Sequence, residues 1–252
     1  MHTRLSPYSR RILLIKAFAV LLIAFVACGY AQADVKSRIA HATSGFKDAC
    51  LKCKVVYANR SELKKVSRDF ATSYEFKNTT VYYKAPDKMK IEGKLGWFKA
   101  AVVINGNLKG IHIPVRGWQM DDIKDAPHKR QTDLDLGIIS DSLWHNYVVL
   151  STDEERCPDG SQYKITFVWS NSRDKKQVAW VDAERLCLLK LKRFESDGSL
   201  IATYLYSDHK QVNGIWVPTR VDVYNREGKL AGATECYDVK INCGLPDSVF
   251  KF

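Results

Sequence analysis

Apolar and polar residues alternate along most of the chain after residue 77, and this pattern predicts β-strands. Runs such as residues 78–84, 101–104 and 163–169 are separated by short turn sequences. One of these turns, Asn105-Gly106, is the strongest short signal for a β-hairpin. About ten or eleven strands joined in this way predict one large, strongly curved antiparallel sheet.

Two segments have the spacing of an amphipathic helix instead. The first predicts a helix at the start of the mature chain, because apolar residues recur every three or four positions. These residues are Val35, Ile39, Ala42, Phe46, Ala49 and Cys53. The second is residues 133–143, with Asp133 as N-cap and an apolar stripe of Leu134, Ile138, Ile139 and Leu143. The charged stretch of residues 121–133 predicts an exposed excursion.

One face of the predicted sheet is apolar, whereas the opposite face carries residues such as Lys164, Lys192 and Arg220 that belong in water. One long helix and one short helix are the only predicted elements that could cover the apolar face. The pattern leaves two alternatives open, an underfilled sheet that encloses an apolar pocket or a fully packed core.

The first 33 residues have the pattern of an export signal. The segment begins with a basic stretch and continues with an uncharged run over residues 17–27. Ala31-Gln32-Ala33 then suits cleavage before Asp34, which predicts a signal peptide over residues 1–33 and a periplasmic protein. Two alternatives remain. Residues 25–28 resemble a lipobox that would acylate Cys28, and residues 9–14 resemble a twin-arginine signal.

The net charge of the mature chain is moderately positive. Four of the 39 basic residues and none of the 28 acidic residues lie in the first 33 positions, so the mature charge is +7. Basic residues are dispersed among acidic ones, which is typical of a solvated surface rather than a dedicated patch. Nucleic acid is not an expected partner, because the protein is exported and has no recognition motif.

Six cysteines remain after cleavage, and an even number in an oxidising compartment predicts disulfides. The candidates are Cys50, Cys53, Cys157, Cys187, Cys236 and Cys243. The sequence does not select among the 15 pairings that six cysteines allow. Cys50 and Cys53 form a Cys-x-x-Cys motif, which could be redox-active or half of a metal site. The sequence has no second Cys-x-x-Cys and no thioredoxin-like context around this one, so structural disulfides are favoured.

The sequence contains none of the common catalytic or nucleotide-binding motifs. There is no G-x-S-x-G elbow, no H-E-x-x-H, no P-loop and no dinucleotide-binding glycine motif. The five histidines of the mature chain are scattered. The prediction is a protein that is not an enzyme, although a hydrolase site assembled from distant residues stays open as an alternative.

Two groups of residues resemble those of a known family. The first is the run 82–92 followed by 102–106, in which an apolar strand, a proline and a basic strand precede the Asn-Gly hairpin. The second comprises residues 180–186, 208–219 and 242–250. Their order and spacing are similar to those of the outer-membrane lipoprotein-sorting proteins, the LolA-like family. The resemblance covers most of residues 81–252 and rests on structural turns.

The resemblance implies an incomplete β-barrel with helices over its open mouth. It also implies an apolar cavity that shelters acyl chains during periplasmic transit. The cysteines and the excursion at 121–133 depart from the family's pattern. The family's lid-locking arginine cannot be placed on any position of this sequence.

The resulting hypothesis is a mainly β, non-enzymatic periplasmic carrier or sensor, monomeric and with a single domain over residues 34–252. It would hold the acyl chains of a lipoprotein or lipid without cofactor or metal, and it would meet membrane-bound donor and acceptor proteins. The residues predicted to line the cavity are Met89, Ile91, Val102, Ile104, Ile165, Phe167, Trp169, Trp180, Leu189, Leu191, Val217 and Val221. The alternative is an envelope interaction or signalling module with a closed core and no lipid cargo.

Overall fold

The computed structural model describes residues 34–252 except residues 115, 127, 128 and 171. The predicted signal peptide, with its alternatives at Cys28 and at residues 9–14, lies outside the described residues. None of the helices within the described part of the chain is long and apolar enough to cross a membrane.

Fifteen strands are present in the described chain. The first six are β1 (Asp48–Ala58), β2 (Asn78–Lys84), β3 (Lys88–Leu95), β4 (Phe98–Asn105), β5 (Leu108–Ile113) and β6 (Gly117–Asp122). The next five are β7 (Tyr147–Cys157), β8 (Gly160–Trp169), β9 (Ser172–Asp182), β10 (Leu188–Phe194) and β11 (Leu200–Ser207). The last four are β12 (Lys210–Val212), β13 (Ile215–Val217), β14 (Arg220–Asn225) and β15 (Leu230–Ile241).

Thirteen of these strands form one antiparallel sheet in the order β6-β5-β4-β3-β2-β1-β15-β14-β11-β10-β9-β8-β7, while β12 and β13 pair with each other. Each half of the sheet is a meander, and the two halves meet where β1 pairs with β15. The sheet is not closed into a barrel, since β6 and β7 remain its edges. The predicted curved antiparallel sheet of an incomplete barrel is confirmed, with more strands than predicted.

Helices cover less of the chain than the spacing predicted. The first helix, α1, includes residues 34–42, and it is followed by α2 (Arg60–Val66), α3 (Arg68–Ser73) and α4 (Ser142–Asn146). Among the described elements, 3-10 turns lie at Asp133–Leu136 and Asp247–Phe250.

The helix predicted to run as far as Cys53 is wrong beyond residue 42. Gly45 has a positive φ of 86° and turns the chain. Ala49 and Cys53 then belong to β1, where they share the core-facing side with Leu51. Positions 46, 49 and 53 fit a helical spacing, yet 49, 51 and 53 fit a strand equally well, so spacing could not separate the two.

The helix predicted over residues 133–143 is also wrong as one element. A 3-10 turn ends at Gly137, whose φ is 73°, and α4 starts only at Ser142. The predicted apolar stripe is nevertheless buried, with Leu134, Ile138, Ile139 and Leu143 all nearly inaccessible. We call residues 129–141 the lid loop. The excursion predicted to be exposed at 121–133 is only partly exposed: its first two residues belong to β6, and Ile123, Thr132 and Asp133 are buried.

The core has two apolar clusters, one for each half of the sheet. The cluster of the C-terminal half is built on Ile165, Phe167 and Leu191 and receives α1, Leu134, Ile139 and Leu143. The cluster of the N-terminal half is built on Leu51, Tyr83, Met89 and Ile104 and receives Leu136 and Ile138. The lid loop therefore fills much of the space inside the curved sheet and joins its two halves.

Candidate functional site

A cavity of about 250 Å³ remains between the lid loop, α3 and the core-facing side of the sheet. We call it the sheet cavity. Its apolar wall comes from both halves of the sheet and from α3, and it includes Leu51, Phe70, Tyr74, Val81, Ile91 and Val223. Its polar lining groups include Ser73, Thr79, Gln131, Asp135, Arg193 and Thr234. The fold thus combines a largely packed core with a small cavity, and both alternatives from the sequence are partly realised.

Three of the predicted lining residues, Met89, Ile91 and Val221, line the sheet cavity. The others mostly face the core without lining the cavity. Ile165, Phe167, Trp169 and Leu191 lie in the cluster of the C-terminal half, and Ile104 and Val217 lie in the other cluster. Val102 is half-buried and pairs with Ile91 across β3 and β4. Their binding of a ligand stays a prediction.

Trp180 does not face the cavity, contrary to the prediction. It pairs with Lys164 and Lys190 on the outer side of the sheet. Its Nε1 donates to Glu155 Oε2 at 3.1 Å, and the ammonium of Lys190 lies 3.9 Å from its ring. Both sides of β9 carry apolar residues, so alternation alone could not decide which side faces the core. In the structure the neighbouring residues Ala179 and Val181 face the core.

Leu189 is the second correction. It lies at an irregularity of the ladder between Leu188 and Lys190, where β10 has an extra residue opposite β9. Because a bulge shifts the alternation by one position, Leu188 and Leu191 face the core while Leu189 is only half-buried.

An ion pair joins the lid loop to the sheet at the cavity wall. Arg193 Nη2 of β10 donates to Asp135 Oδ1 at 2.8 Å, and Arg193 Nε donates to Gln177 Oε1 at 3.2 Å. The guanidinium carbon also lies 5.1 Å from the ring centre of Tyr204. Burial is the largest single influence and opposes the charged guanidinium, but the charge and hydrogen bond of Asp135 together with Tyr204 and Tyr206 outweigh burial and raise the pKa of Arg193. The ion pair therefore ties the lid loop to β10.

The interior of the lid loop is fixed by a second carboxylate. Asp133 is buried and accepts hydrogen bonds from the hydroxyls of Ser140 and Ser142, the latter at 2.6 Å. Burial raises the pKa of Asp133, and the two serine hydroxyls oppose that rise. At Gly137, an added Cβ would lie 2.3 Å from Pro218 Cγ, so this turn packs directly on the sheet.

The cysteines form one disulfide among the described residues, between Cys53 and Cys236. Both half-cystines line the sheet cavity at the junction of β1 and β15. The prediction of a structural bridge is confirmed for this pair. Cys50, Cys157, Cys187 and Cys243 are free thiols in the described chain. The Cys-x-x-Cys does not close on itself, and no cluster of three metal-ligating side chains is found within the described residues.

An apolar hairpin tip projects from the sheet between β3 and β4. The side chains of Trp97 and Phe98 are 98% and 52% exposed, and Lys94 and Lys99 flank them. The sequence reasoning overlooked this tip, although two adjacent aromatics in a short turn are its signal. The pairing of Arg193 with Asp135 was also missed, because the two residues are 58 positions apart and their pairing has no local signal.

A family model described as "uncharacterized protein" matches residues 132–252. No curated protein matches the chain significantly by sequence.

Several solved structures have a similar fold. A LolA superfamily protein from Nitrosomonas europaea is 14% identical, with a TM-score of 0.60 over 87% of this chain and 97% of the other. A domain assigned to outer membrane lipoprotein sorting from Vibrio parahaemolyticus is 12% identical, with a TM-score of 0.56 over 86% and 95%. A DUF1329 family protein from Desulfovibrio piger is 13% identical, with a TM-score of 0.55 over 88% and 96%. Identities this low establish a shared fold alone.

Proposed function

We propose that this chain, whose sheet and helices have the LolA-like fold, is a periplasmic carrier that holds an acyl chain of a lipoprotein or lipid in the sheet cavity. Residues 34–252 would be the mature domain, exported by cleavage of residues 1–33. The proposal rests on one observation above all, a mainly apolar cavity, partly open to solvent, between both halves of the sheet and the lid loop. It requires no enzymatic step.

The energetics of such a cavity suit an acyl chain. Burial of one methylene group contributes about 0.8 kcal/mol, so each carbon that enters the sheet cavity adds to the affinity. Part of this gain is offset by the cost of ordering the chain and the lid loop. A carrier needs this balance, because cargo that binds reversibly can be released at a membrane.

Filling the cavity tests the proposal. We expect Ile91→Trp to remove bound acyl lipid, because the indole would occupy the space beside Met89 and Val81. The matched control is Ile111→Trp. Ile91 pairs with Val102 on β4, and Val102 pairs in turn with Ile111 on β5. Ile111 is 38% exposed and does not line the cavity.

The measurement is native mass spectrometry with lipid extraction on protein purified from the envelope. Acyl lipid on the wild type and on the control, and none on a folded Ile91→Trp variant, supports the carrier. Protein that is free of lipid in all three forms, and that stays free after incubation with lipids, contradicts it and favours the interaction module.

The hairpin tip supports an approach to membranes. Trp side chains favour the membrane interface, and lysines are attracted to anionic lipid at about 1 kcal/mol each. We expect Trp97→Ser with Phe98→Ser to weaken binding to vesicles that contain phosphatidylglycerol by about tenfold, since two apolar side chains no longer enter the interface. Co-sedimentation with vesicles measures this.

The control for the tip is Leu150→Ser, which removes an exposed apolar side chain from the edge strand β7. Its vesicle binding should equal that of the wild type. A tip variant that binds as the wild type does would show that membrane contact lies elsewhere.

A further inference from the structure

Three lysines gather around one tryptophan on the outer side of the sheet. Lys164 of β8 and Lys190 of β10 are the two cross-strand partners of Trp180, and Lys192 pairs with Val178 two positions away on β9. The ammonium groups of Lys190, Lys192 and Lys164 lie 3.9, 5.8 and 6.0 Å from the ring centre of Trp180. We call Lys164, Lys190 and Lys192 the lysine cluster.

One carboxylate serves the whole lysine cluster. Glu155 Oε1 lies 3.2 Å from Lys164 Nζ, and Glu155 Oε2 accepts from Trp180 Nε1 at 3.1 Å. Neither Lys190 nor Lys192 has a carboxylate at ion-pair distance among the described residues. Three positive charges thus meet one negative charge, which leaves an excess of two positive charges around a single indole.

The two unpaired ammonium groups are partly shielded from water. Lys190 and Lys192 are both half-buried. Burial lowers the pKa of Lys190, the charge of Lys192 lowers it further, and Glu155 opposes both influences. Because an anion that contacts both ammonium groups offsets their mutual repulsion and their lost hydration, the lysine cluster is suited to bind one.

The lysine stems also have a packing role. Val178 and Trp180 are buried although they lie on the outer side of the sheet, and the stems of long basic residues cover apolar side chains in this way. Covering requires only the methylene groups of the stems. It does not account for two neighbouring stems that end in charges without a counter-charge.

The composition of the lysine cluster indicates which anion fits. Arginine is the residue that binds a planar carboxylate through two parallel hydrogen bonds, whereas lysine binds phosphate as a point charge. A phosphate monoester carries a charge of about −1.5 to −2 at neutral pH, which matches the excess of two positive charges. A phosphate diester carries one negative charge and would neutralise half of that excess.

We propose that the lysine cluster binds a phosphate monoester group, with Lys190 and Lys192 as its direct ligands. Lys164, already paired with Glu155, stands beside them on the other side of Trp180. The site lies on the opposite side of the sheet from the sheet cavity, so it is separate from acyl binding. A small soluble molecule and the head group of a lipid can both present this chemistry.

Nuclear magnetic resonance titration of the mature protein measures binding through the indole N–H of Trp180, assigned with Trp180→Phe. At low ionic strength and about pH 8, above the second pKa of a monoester near 6, we expect methyl phosphate to shift this resonance. The expected Kd is about 1 mM. Dimethyl phosphate and acetate should bind at least about fivefold more weakly, because each carries a single charge.

A pair of double variants tests whether the lysine cluster is the site. Lys190→Gln with Lys192→Gln should weaken methyl phosphate binding by about tenfold, since both direct ligands are lost. The matched control is Lys94→Gln with Lys99→Gln, which removes two charges from a directly paired lysine pair on β3 and β4 and should bind as the wild type does. If the first variant does not fold, Lys192→Met keeps the apolar stem and should weaken binding by about threefold.

Vesicles identify the source of the phosphate. Stronger binding to vesicles with phosphatidic acid than to phosphatidylglycerol vesicles of equal surface charge, lost in the Lys190→Gln, Lys192→Gln variant, assigns a lipid head group. Binding of methyl phosphate without that preference assigns a soluble molecule. An unshifted indole resonance, equal binding of acetate, or an equal loss in both double variants would overturn the proposal and would leave the carrier function untouched.

Discussion

Removing the disulfide between Cys53 and Cys236 should lower the free energy of unfolding by about 4 kcal/mol. The bridge joins residues 183 positions apart, and a loop of that length gives a large reduction in the entropy of the unfolded chain. It also lies where β1 pairs with β15, the one seam between the halves of the sheet. We expect Cys53→Ala with Cys236→Ala to show this loss in urea denaturation.

Two controls make the disulfide prediction specific. Cys157→Ala changes an exposed free thiol at the end of β7, and it should unfold at the same urea concentration as the wild type. Reductant should destabilise the wild type by about as much as the double replacement does and should leave the double variant unchanged. A double variant as stable as the wild type would mean that the unfolded chain gains little freedom when the bridge is lost.

The second large effect is expected at the ion pair that holds the lid loop. Arg193→Met should destabilise the protein by about 3 kcal/mol, because it leaves the partly buried carboxylate of Asp135 without its counter-charge. Urea denaturation measures the loss. Displacement of a bound fluorescent lipid should also become faster, since the lid loop then has one less contact with β10.

A double replacement separates loss of the ion pair from loss of packing. Arg193→Met with Asp135→Leu replaces both charges by apolar side chains and should recover most of the lost stability. The recovery would show that the cost of the single variant is an uncompensated charge. If the double variant is as unstable as Arg193→Met alone, the arginine acts through packing on Tyr204 rather than through its charge.

Local sequence patterns correctly predicted those features that depend on residues close together in the sequence. The hairpin at Asn105-Gly106 forms as predicted, with Asn105 pairing with Leu108. The apolar stripe predicted over residues 133–143 is buried, although the backbone there is a 3-10 turn, an irregular segment and the start of α4 rather than one helix. Burial depends on which residues are apolar, whereas the form of the backbone also depends on Gly137 and on the serines around Asp133.

Which side chains of a strand face the core was harder to predict where apolar residues lie on both sides of the strand. Trp180 and Ala179 are both apolar, and only pairing with Lys164 and Lys190 shows that the tryptophan lies outside. At Leu189 one extra residue in β10 reverses the alternation, and such a bulge has no reliable local signal.

The sequence by itself determined the class of fold, the positions of most strands and turns, and the presence of one apolar face on the sheet. These properties depend on the period of apolar residues along a short stretch of backbone. Only the tertiary structure decided that Cys53 pairs with Cys236, that Arg193 pairs with Asp135, and that a cavity of about 250 Å³ stays open. Those properties depend on the register and packing of residues far apart in the chain, which local spacing does not specify.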